Sequence, residues 1–194
     1  MSAQAIATPV LADYVPGQRV RAAALVGIGA VVLAVCAQVA VPLPFTPVPV
    51  SLATFAVILL GASMGPALGA GSVLVYLIAG LAGAPVFAEQ ASGWAFASFG
   101  YVLGYLLAVL IAGRLARRGA DRTPWRAGGM ALLGTLGIYA AGVPWLMGFL
   151  GVDLATGLSL GLIPFVLGDV LKVALAMVLL PSAWKVVERV RRPK

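Results

Sequence analysis

Residues 22–88 read AAALVGIGAVVLAVCAQVAVPLPFTPVPVSLATFAVILLGASMGPALGAGSVLVYLIAGLAGAPVFA and contain no charged side chain. A membrane-spanning helix needs about 20 apolar residues, so this stretch is too long for one crossing. The prolines between Val41 and Pro49 exclude a helix there, because proline lacks an amide donor and restricts the residue before it. Gly65-Pro66 is a second turn signal. The stretch therefore predicts three spans, near residues 20–41, 50–64 and 66–82.

The rest of the chain continues this alternation of long apolar runs with short polar or basic breaks. Of the 194 residues, 62% are hydrophobic and 10% are charged, whereas soluble domains carry about 25% charged residues. We therefore expect an all-α integral membrane protein with six transmembrane helices. Three further spans are predicted near residues 99–115, 127–149 and 157–181. The expected organisation is a cytoplasmic N-terminal segment (1–18), a six-helix membrane domain (19–184) and a basic cytoplasmic tail (185–194).

The basic residues predict the orientation of these spans. With the N-terminus in the cytoplasm, every Lys and Arg except Lys172 falls on the cytoplasmic side, and Glu89 and Asp153 fall outside. This is the distribution of the positive-inside rule, with both termini cytoplasmic. It predicts a multi-pass protein of the bacterial cytoplasmic (inner) membrane. It also accounts for the net charge of +7 without a nucleic-acid partner and leaves the lipid bilayer as the surrounding medium.

Several kinds of chemistry are excluded by what the sequence lacks. There is no histidine and a single cysteine, Cys36, which excludes Ser-His and Cys-His catalysis and most catalytic zinc sites. There is no P-loop sequence for nucleotide hydrolysis. We therefore expect a protein that is not an enzyme and has no catalytic residue, metal site or cofactor.

One charged pair lies inside the last predicted span, in the segment PFVLGDVLK at residues 164–172. Asp169 precedes Lys172 by three positions, so both project from one helix face near the middle of that span. An ionisable group at this depth costs about 2.5–3.5 kcal/mol and usually lines a cavity or pathway. An ion pair that only stabilises packing is the alternative. Pro164 and Gly168 weaken the helix just before the pair.

Small residues on the first span suggest a surface for a membrane partner. Such faces let helices approach closely in lipid, although packing within one subunit gives the same pattern. The predicted docking residues are Ala23, Gly27, Ala30 and Ala34.

Five segments together resemble the BioY family: VPLPFTPVPVSL at 41–52, LLG at 59–61, GLAGAPVF at 80–87, GYVLGY at 100–105 and PFVLGDVLK at 164–172. The resemblance extends over about residues 20–181. It implies the six-helix fold of an energy-coupling-factor (ECF) transporter S component and biotin as the ligand. The partners it implies are a transmembrane coupling protein and two cytoplasmic ATPases. It also assigns the functional Asp and Lys of the last span to Asp169 and Lys172.

Biotin complements these two residues, because its ureido ring presents N–H and C=O groups to a carboxylate and an ammonium. Biotin's own carboxylate stays hydrated, uses donors such as Thr46 or competes for Lys172. An ion- or proton-coupled secondary transporter of a small carboxylate or vitamin, with Asp169 as the carrier, is the alternative function. A scaffold that binds only partner proteins is a third possible function. Dedicated or shared ATPases and a homo-oligomer are left open. The predicted substrate-binding residues are Asp169, Lys172, Gln38, Thr46, Tyr76, Phe87, Gly100 and Tyr101.

Overall fold

A computed structural model describes residues 8–14 and 19–191 of the chain. Residues 1–7 and 15–18 of the predicted N-terminal segment and 192–194 of the predicted tail lie outside the described residues. Among the described residues, five helical segments are long and apolar enough to cross a membrane, as a multi-pass membrane protein requires. The elements are α1 (Arg19–Gln38), β1 (Ala40–Leu43), β2 (Thr46–Ser51), α2 (Ala53–Leu81), α3 (Phe99–Ala116), α4 (Pro124–Leu150), α5 (Leu154–Gly161) and α6 (Val166–Arg191).

The helix α2 folds back on itself at Gly65-Pro66. Gly65 has φ 76° and ψ 177°, a conformation that glycine adopts without the strain a side chain would introduce. In a straight helix, Gly61 and Gly69 would lie about 12 Å apart. A Cβ built on Gly69 instead lies 3.5 Å from the Cα of Gly61. The halves 53–64 and 66–81 therefore pack against each other, and the turn lies where the sequence predicts it.

The proline-rich segment after α1 forms a β-hairpin, which an all-α description omits. Strands β1 and β2 are antiparallel, with Val41 opposite Val50 and Leu43 opposite Thr46. Proline is tolerated here because each strand of a two-stranded sheet is an edge strand. The Thr46 hydroxyl donates a hydrogen bond to the Leu160 carbonyl of α5 at 2.7 Å. The hairpin is thereby attached to the start of the last predicted span.

That last span is not one continuous helix. Helix α5 ends at Gly161, a 3-10 turn occupies Ile163–Phe165, and α6 begins at Val166. Asp169 consequently lies in the first turn of α6. The break does not end the span, because Leu154–Val190 together form one stretch that is long and apolar enough to cross a membrane. Pro164 accounts for the break, since proline is tolerated in the first turn of a helix but not in its interior. Helix α6 continues to Arg191, so the first residues of the predicted tail are helical.

Glycines allow the central helices to pack at backbone distance. A Cβ at Gly104 of α3 would lie 2.7 Å from the Cα of Ile138 in α4, and one at Gly61 would lie 2.7 Å from the Val109 carbonyl oxygen. No side chain fits at these separations. The outward surface of the bundle is apolar, as a lipid-facing surface must be. Leu167 is 83% exposed and Val31 is 62% exposed.

The described N-terminal segment is attached to the end of α3. The Thr8 amide donates to the Arg117 carbonyl at 2.9 Å, and Val10 is fully buried. Asp13 forms an ion pair with Arg117. Burial is the largest single influence and would raise the pKa of Asp13, but the hydrogen bonds from Arg117 and the Val10 amide and the charges of Arg117 and Arg21 together outweigh it, so the pKa lies below its ordinary value.

Candidate ligand-binding site

A cavity lies among β2, α2, α3, α4 and the start of α6. The space between its lining atoms amounts to about 630 Å³, a volume that includes the open solvent at its mouth. Its lining combines aromatic and aliphatic walls with one cluster of polar side chains. That cluster consists of Thr54, Tyr139, Asp169 and Lys172.

The charged pair is the centre of the polar cluster. The Lys172 ammonium lies 3.3 Å from Oδ1 of Asp169, and the two side chains are 16% and 14% exposed. Lys172 also donates to Oγ1 of Thr54 in α2 at 2.7 Å. The Tyr139 hydroxyl of α4 donates to Oδ2 of Asp169. The pair therefore links α6 to α2 and α4.

The bend between α5 and α6 directs the first turn of α6 toward the cavity. The Tyr101 hydroxyl of α3 donates to the Gly161 carbonyl at the end of α5, at 2.7 Å. Phe165 in the turn after α5 lines the cavity beside Asp169. A break in the helix at this depth is tolerated because the freed backbone groups face protein rather than lipid.

The hydrogen bonds within the cluster leave part of its capacity unused. A carboxylate has about four acceptor sites and an ammonium has three donors. Asp169 accepts one hydrogen bond on each oxygen, and Lys172 donates two. Within the described part of the chain, about two acceptor sites on Asp169 and one donor on Lys172 therefore have no partner and are available to a ligand. This is the complement of a ligand edge that carries both N–H and C=O groups.

Aromatic side chains form the opposing surface. The Tyr76 and Tyr105 rings stack with their centroids 6.4 Å apart, and both residues line the cavity. Phe96 also lines the cavity, and it packs against Phe87 with a centroid distance of 5.8 Å. Such walls suit the apolar part of a small ligand.

Of the eight predicted substrate-binding residues, the structure brings four together at the cavity. They are Asp169, Lys172, Tyr76 and Tyr101.

The other four predicted residues lie behind or beside the cavity wall. Gln38 donates to the carbonyls of Val86 and Phe87, the latter at 3.0 Å, and so holds the segment after α2. Phe87 is fully buried and supports the aromatic wall from behind. The one hydroxyl proton of Thr46 is used on the α5 backbone, so Thr46 is not a spare donor for a ligand carboxylate.

Gly100 contributes space rather than a contact with a ligand. A Cβ at Gly100 would overlap the side chain of Trp145 in α4. The Trp145 indole in turn donates to the Phe96 carbonyl at 3.1 Å. Gly100 therefore permits the close contact of α3 with α4 beside the cavity.

Two members of the polar cluster were absent from the prediction. Tyr139 carries the same signal as Tyr76 and Tyr101, a polar-tipped ring within an apolar span, and could have been found by it. Thr54 carries no such signal. It meets Lys172 across 118 positions of the chain, a contact that local pattern does not predict.

Only part of the predicted docking face of α1 is exposed in the structure. Ala23 and Gly27 are exposed, Ala34 is half-buried, and Ala30 is only 8% exposed. Ala30 is therefore a core residue, which corrects its assignment to a docking surface. The most exposed side of α1 instead includes Ala24, Gly27, Ile28, Val31 and Val35.

Known proteins are similar to this chain in sequence and in fold. A probable biotin transporter BioY of Pyrococcus horikoshii is 37% identical over 155 residues, covering 80% of this chain and 91% of the relative. The biotin transporter BioY2 of Lactococcus lactis is 34% identical over 79% of this chain and 85% of its own. A crystal structure of the S-component for biotin from an ECF-type ABC transporter matches with a TM-score of 0.77 and 23% identity, covering 87% of this chain and 93% of that chain. It shows the same fold.

A family model matches nearly the whole described chain and identifies the family to which the protein belongs. The BioY family model matches residues 5–189, which include α1 to α5, all but the last two residues of α6 and all four residues of the polar cluster. The resemblance found in the sequence is thereby confirmed: the chain belongs to the BioY family.

Proposed function

We propose that this protein is the substrate-binding S component of an ECF-type biotin transporter, which captures biotin for uptake across the cytoplasmic membrane. One observation carries the proposal: the charged pair in the aromatic cavity has acceptor sites on Asp169 and a donor on Lys172 that no described residue uses. Biotin's ureido ring offers the matching N–H and C=O groups. The curated relatives named as biotin transporters support the same ligand. The role is capture of a ligand, without catalysis.

In the proposed complex the ureido ring lies against Asp169 and Lys172. The carboxylate accepts from a ureido N–H and the ammonium donates to the ureido oxygen, both as charge-assisted hydrogen bonds. The fused sulfur ring and the aliphatic chain then contact the aromatic surface of Tyr76, Tyr105 and Phe96. Lys172 is engaged at the ureido oxygen and does not hold biotin's carboxylate.

Binding of radiolabelled biotin to the purified protein tests this proposal. Asp169→Asn and Lys172→Ala should each weaken binding about tenfold or more, the cost of a lost hydrogen bond to a charged group. Asp153→Asn and Lys185→Ala are the matched controls, since they remove the same charges outside the cavity and should bind normally. A wild-type protein that binds no biotin refutes the proposal. Folded Asp169→Asn and Lys172→Ala proteins with unchanged affinity remove the pair from the site.

We further propose that the chain crosses the membrane six times, with both termini in the cytoplasm. The reversal of α2 at Gly65 supports counting its halves as two spans, and the basic residues support the orientation. Single cysteines at Arg118 and Asp153, in a Cys36→Ala background, test this with a membrane-impermeant thiol reagent on intact bacteria. Six spans predict labelling at 153 and not at 118. Five spans predict the reverse.

The proposed partners are a transmembrane coupling protein and two cytoplasmic ATPases, docked through the exposed face of α1. Gly27 is the test position, because a Cβ there meets no atom of the chain within 4 Å. Gly27→Leu should fold and bind biotin but copurify less of the partner complex and transport less. Gly129→Leu is the matched control, since Gly129 of α4 is equally open. Equal transport by the two variants would exclude this face.

A further inference from the structure

The Asp169 carboxylate is held by donors from two different helices. Tyr139 of α4 donates to Oδ2, and Lys172 of α6 donates to Oδ1 at 3.3 Å. The terminal torsion of an aspartate is broad on its own. The plane of this carboxylate, and with it the direction of its unused lone pairs, is therefore set by these two donors.

Tyr139 is itself fixed in place. Its ring packs edge-on against Tyr101, with centroids 6.2 Å apart and an interplanar angle of 86°. The Tyr101 hydroxyl is bonded to the Gly161 carbonyl at the bend after α5. The orientation of Asp169 is thus tied through two tyrosines to the bend that brings α6 to the cavity.

Tyr139 and Asp169 also form the boundary between two spaces. Both residues line the ligand cavity, and both line an apolar groove between α4 and α6. The groove is bordered by aliphatic side chains such as Val170, which is 61% exposed. A carboxylate turned toward this groove would face mainly aliphatic side chains, whereas one held by Tyr139 keeps its free lone pairs available to the cavity.

We propose that Tyr139 is a positioning residue for ligand recognition: its hydroxyl holds Asp169 in the orientation that receives the N–H donors of a cyclic urea. It acts through Asp169 and makes no contact of its own with the ureido group. The inference rests on the proposed function, because it assumes that Asp169 binds the ligand.

Tyr139→Phe tests the role, because it removes the hydroxyl and keeps the ring packed on Tyr101. Biotin binding should weaken about 10- to 100-fold, the range for a lost hydrogen bond to a charged group. In an Asp169→Ala background the same change should cost less than about twofold, since residues acting through one group are not additive. Tyr105→Phe is the matched comparison: it removes a hydroxyl from the same cavity that has no hydrogen bond to Asp169, so its effect should be the same in both backgrounds.

Two results would overturn the inference while leaving the proposed function intact. One is a Tyr139→Phe protein that binds biotin within twofold of the wild type. The other is an equal effect of Tyr139→Phe with and without the Asp169 carboxylate. If Asp169→Ala binds biotin too weakly to measure, infrared spectroscopy replaces the comparison of the two backgrounds. The carboxylate band of Asp169 is assigned by isotope labelling and by its absence from Asp169→Ala. Tyr139→Phe should shift that band, and an unshifted band contradicts the inference. Failure of the wild type to bind biotin would refute the proposed function instead.

Discussion

Replacing Lys172 by methionine tests how the charged pair is stabilised inside the protein. Methionine keeps an unbranched side chain of similar length but removes the ammonium, which leaves Asp169 with Tyr139 as its hydrogen-bond partner. The Asp169 side chain is 14% exposed, so water compensates little for the loss. The change creates an uncompensated charge in a poorly hydrated place.

The magnitude follows from the geometry. Two unit charges 3.3 Å apart attract by about 5 kcal/mol at an effective dielectric constant of about 20. Desolvation of both groups offsets part of this attraction, and removing one partner of a buried pair costs about 3–5 kcal/mol. The retained Tyr139 hydrogen bond places the expected loss near the lower end, at about 3 kcal/mol. At about 2–4 °C per kcal/mol, the melting temperature should fall by roughly 6–12 °C.

The double variant Asp169→Asn/Lys172→Met separates stability from ligand binding. With no isolated charge left, its melting temperature should return to within about 4 °C of the wild type, because neutral replacement of a buried pair is often nearly neutral in free energy. Neither variant should bind biotin with wild-type affinity. Thermal unfolding in detergent and labelled-biotin binding measure the two effects. A Lys172→Met protein as stable as the wild type, or a double variant with normal binding, would refute the reasoning.

Two further predictions concern the packing of the bundle and its cytoplasmic end. Gly104→Ala should destabilise the protein by about 1–3 kcal/mol through overpacking, because the new Cβ would lie 2.7 Å from Ile138 backbone atoms. Gly129→Ala is the control: its Cβ meets no atom within 4 Å, and the change should stabilise the protein by about 0.4–1 kcal/mol. Equal melting temperatures of the two variants would contradict this prediction. Because the pKa of Asp13 is lowered beside Arg117, its contribution to stability is present above an unfolded pKa of about 3.9 and is lost as the pH falls through the folded pKa. The difference in melting temperature between wild type and Asp13→Asn should therefore shrink between about pH 5 and pH 3, and a constant difference would exclude the ion pair as its source.

The membrane class and the main breaks of the chain could be predicted because they depend on local composition. An uncharged stretch at 22–88 requires lipid, and the turn at Gly65-Pro66 follows from the backbone preferences of two residues. Asp169 and Lys172 could be singled out for a similar reason, since an ionisable group within a span is costly wherever it lies. The resemblance of the motifs to the BioY family then indicated biotin as the ligand of this charged pair.

The faces of the helices could not be predicted in the same way. In a soluble helix the polar side identifies the surface, but a helix that is apolar all round carries no such signal. Ala30 and Gly27 look equivalent in sequence, yet Ala30 lies in the core and Gly27 faces outward.

The amino-acid sequence by itself determined a multi-pass membrane protein of the BioY family with one charged pair within its last predicted span. Only the tertiary structure decided what that pair touches. Thr54 reaches Lys172 across 118 positions of the chain, and Tyr139 reaches Asp169 across 30. These contacts depend on how α2, α4 and α6 pack together and on the bend after α5. Short-range propensities encode turns and spans, whereas the direction of a buried carboxylate depends on donors supplied by distant helices.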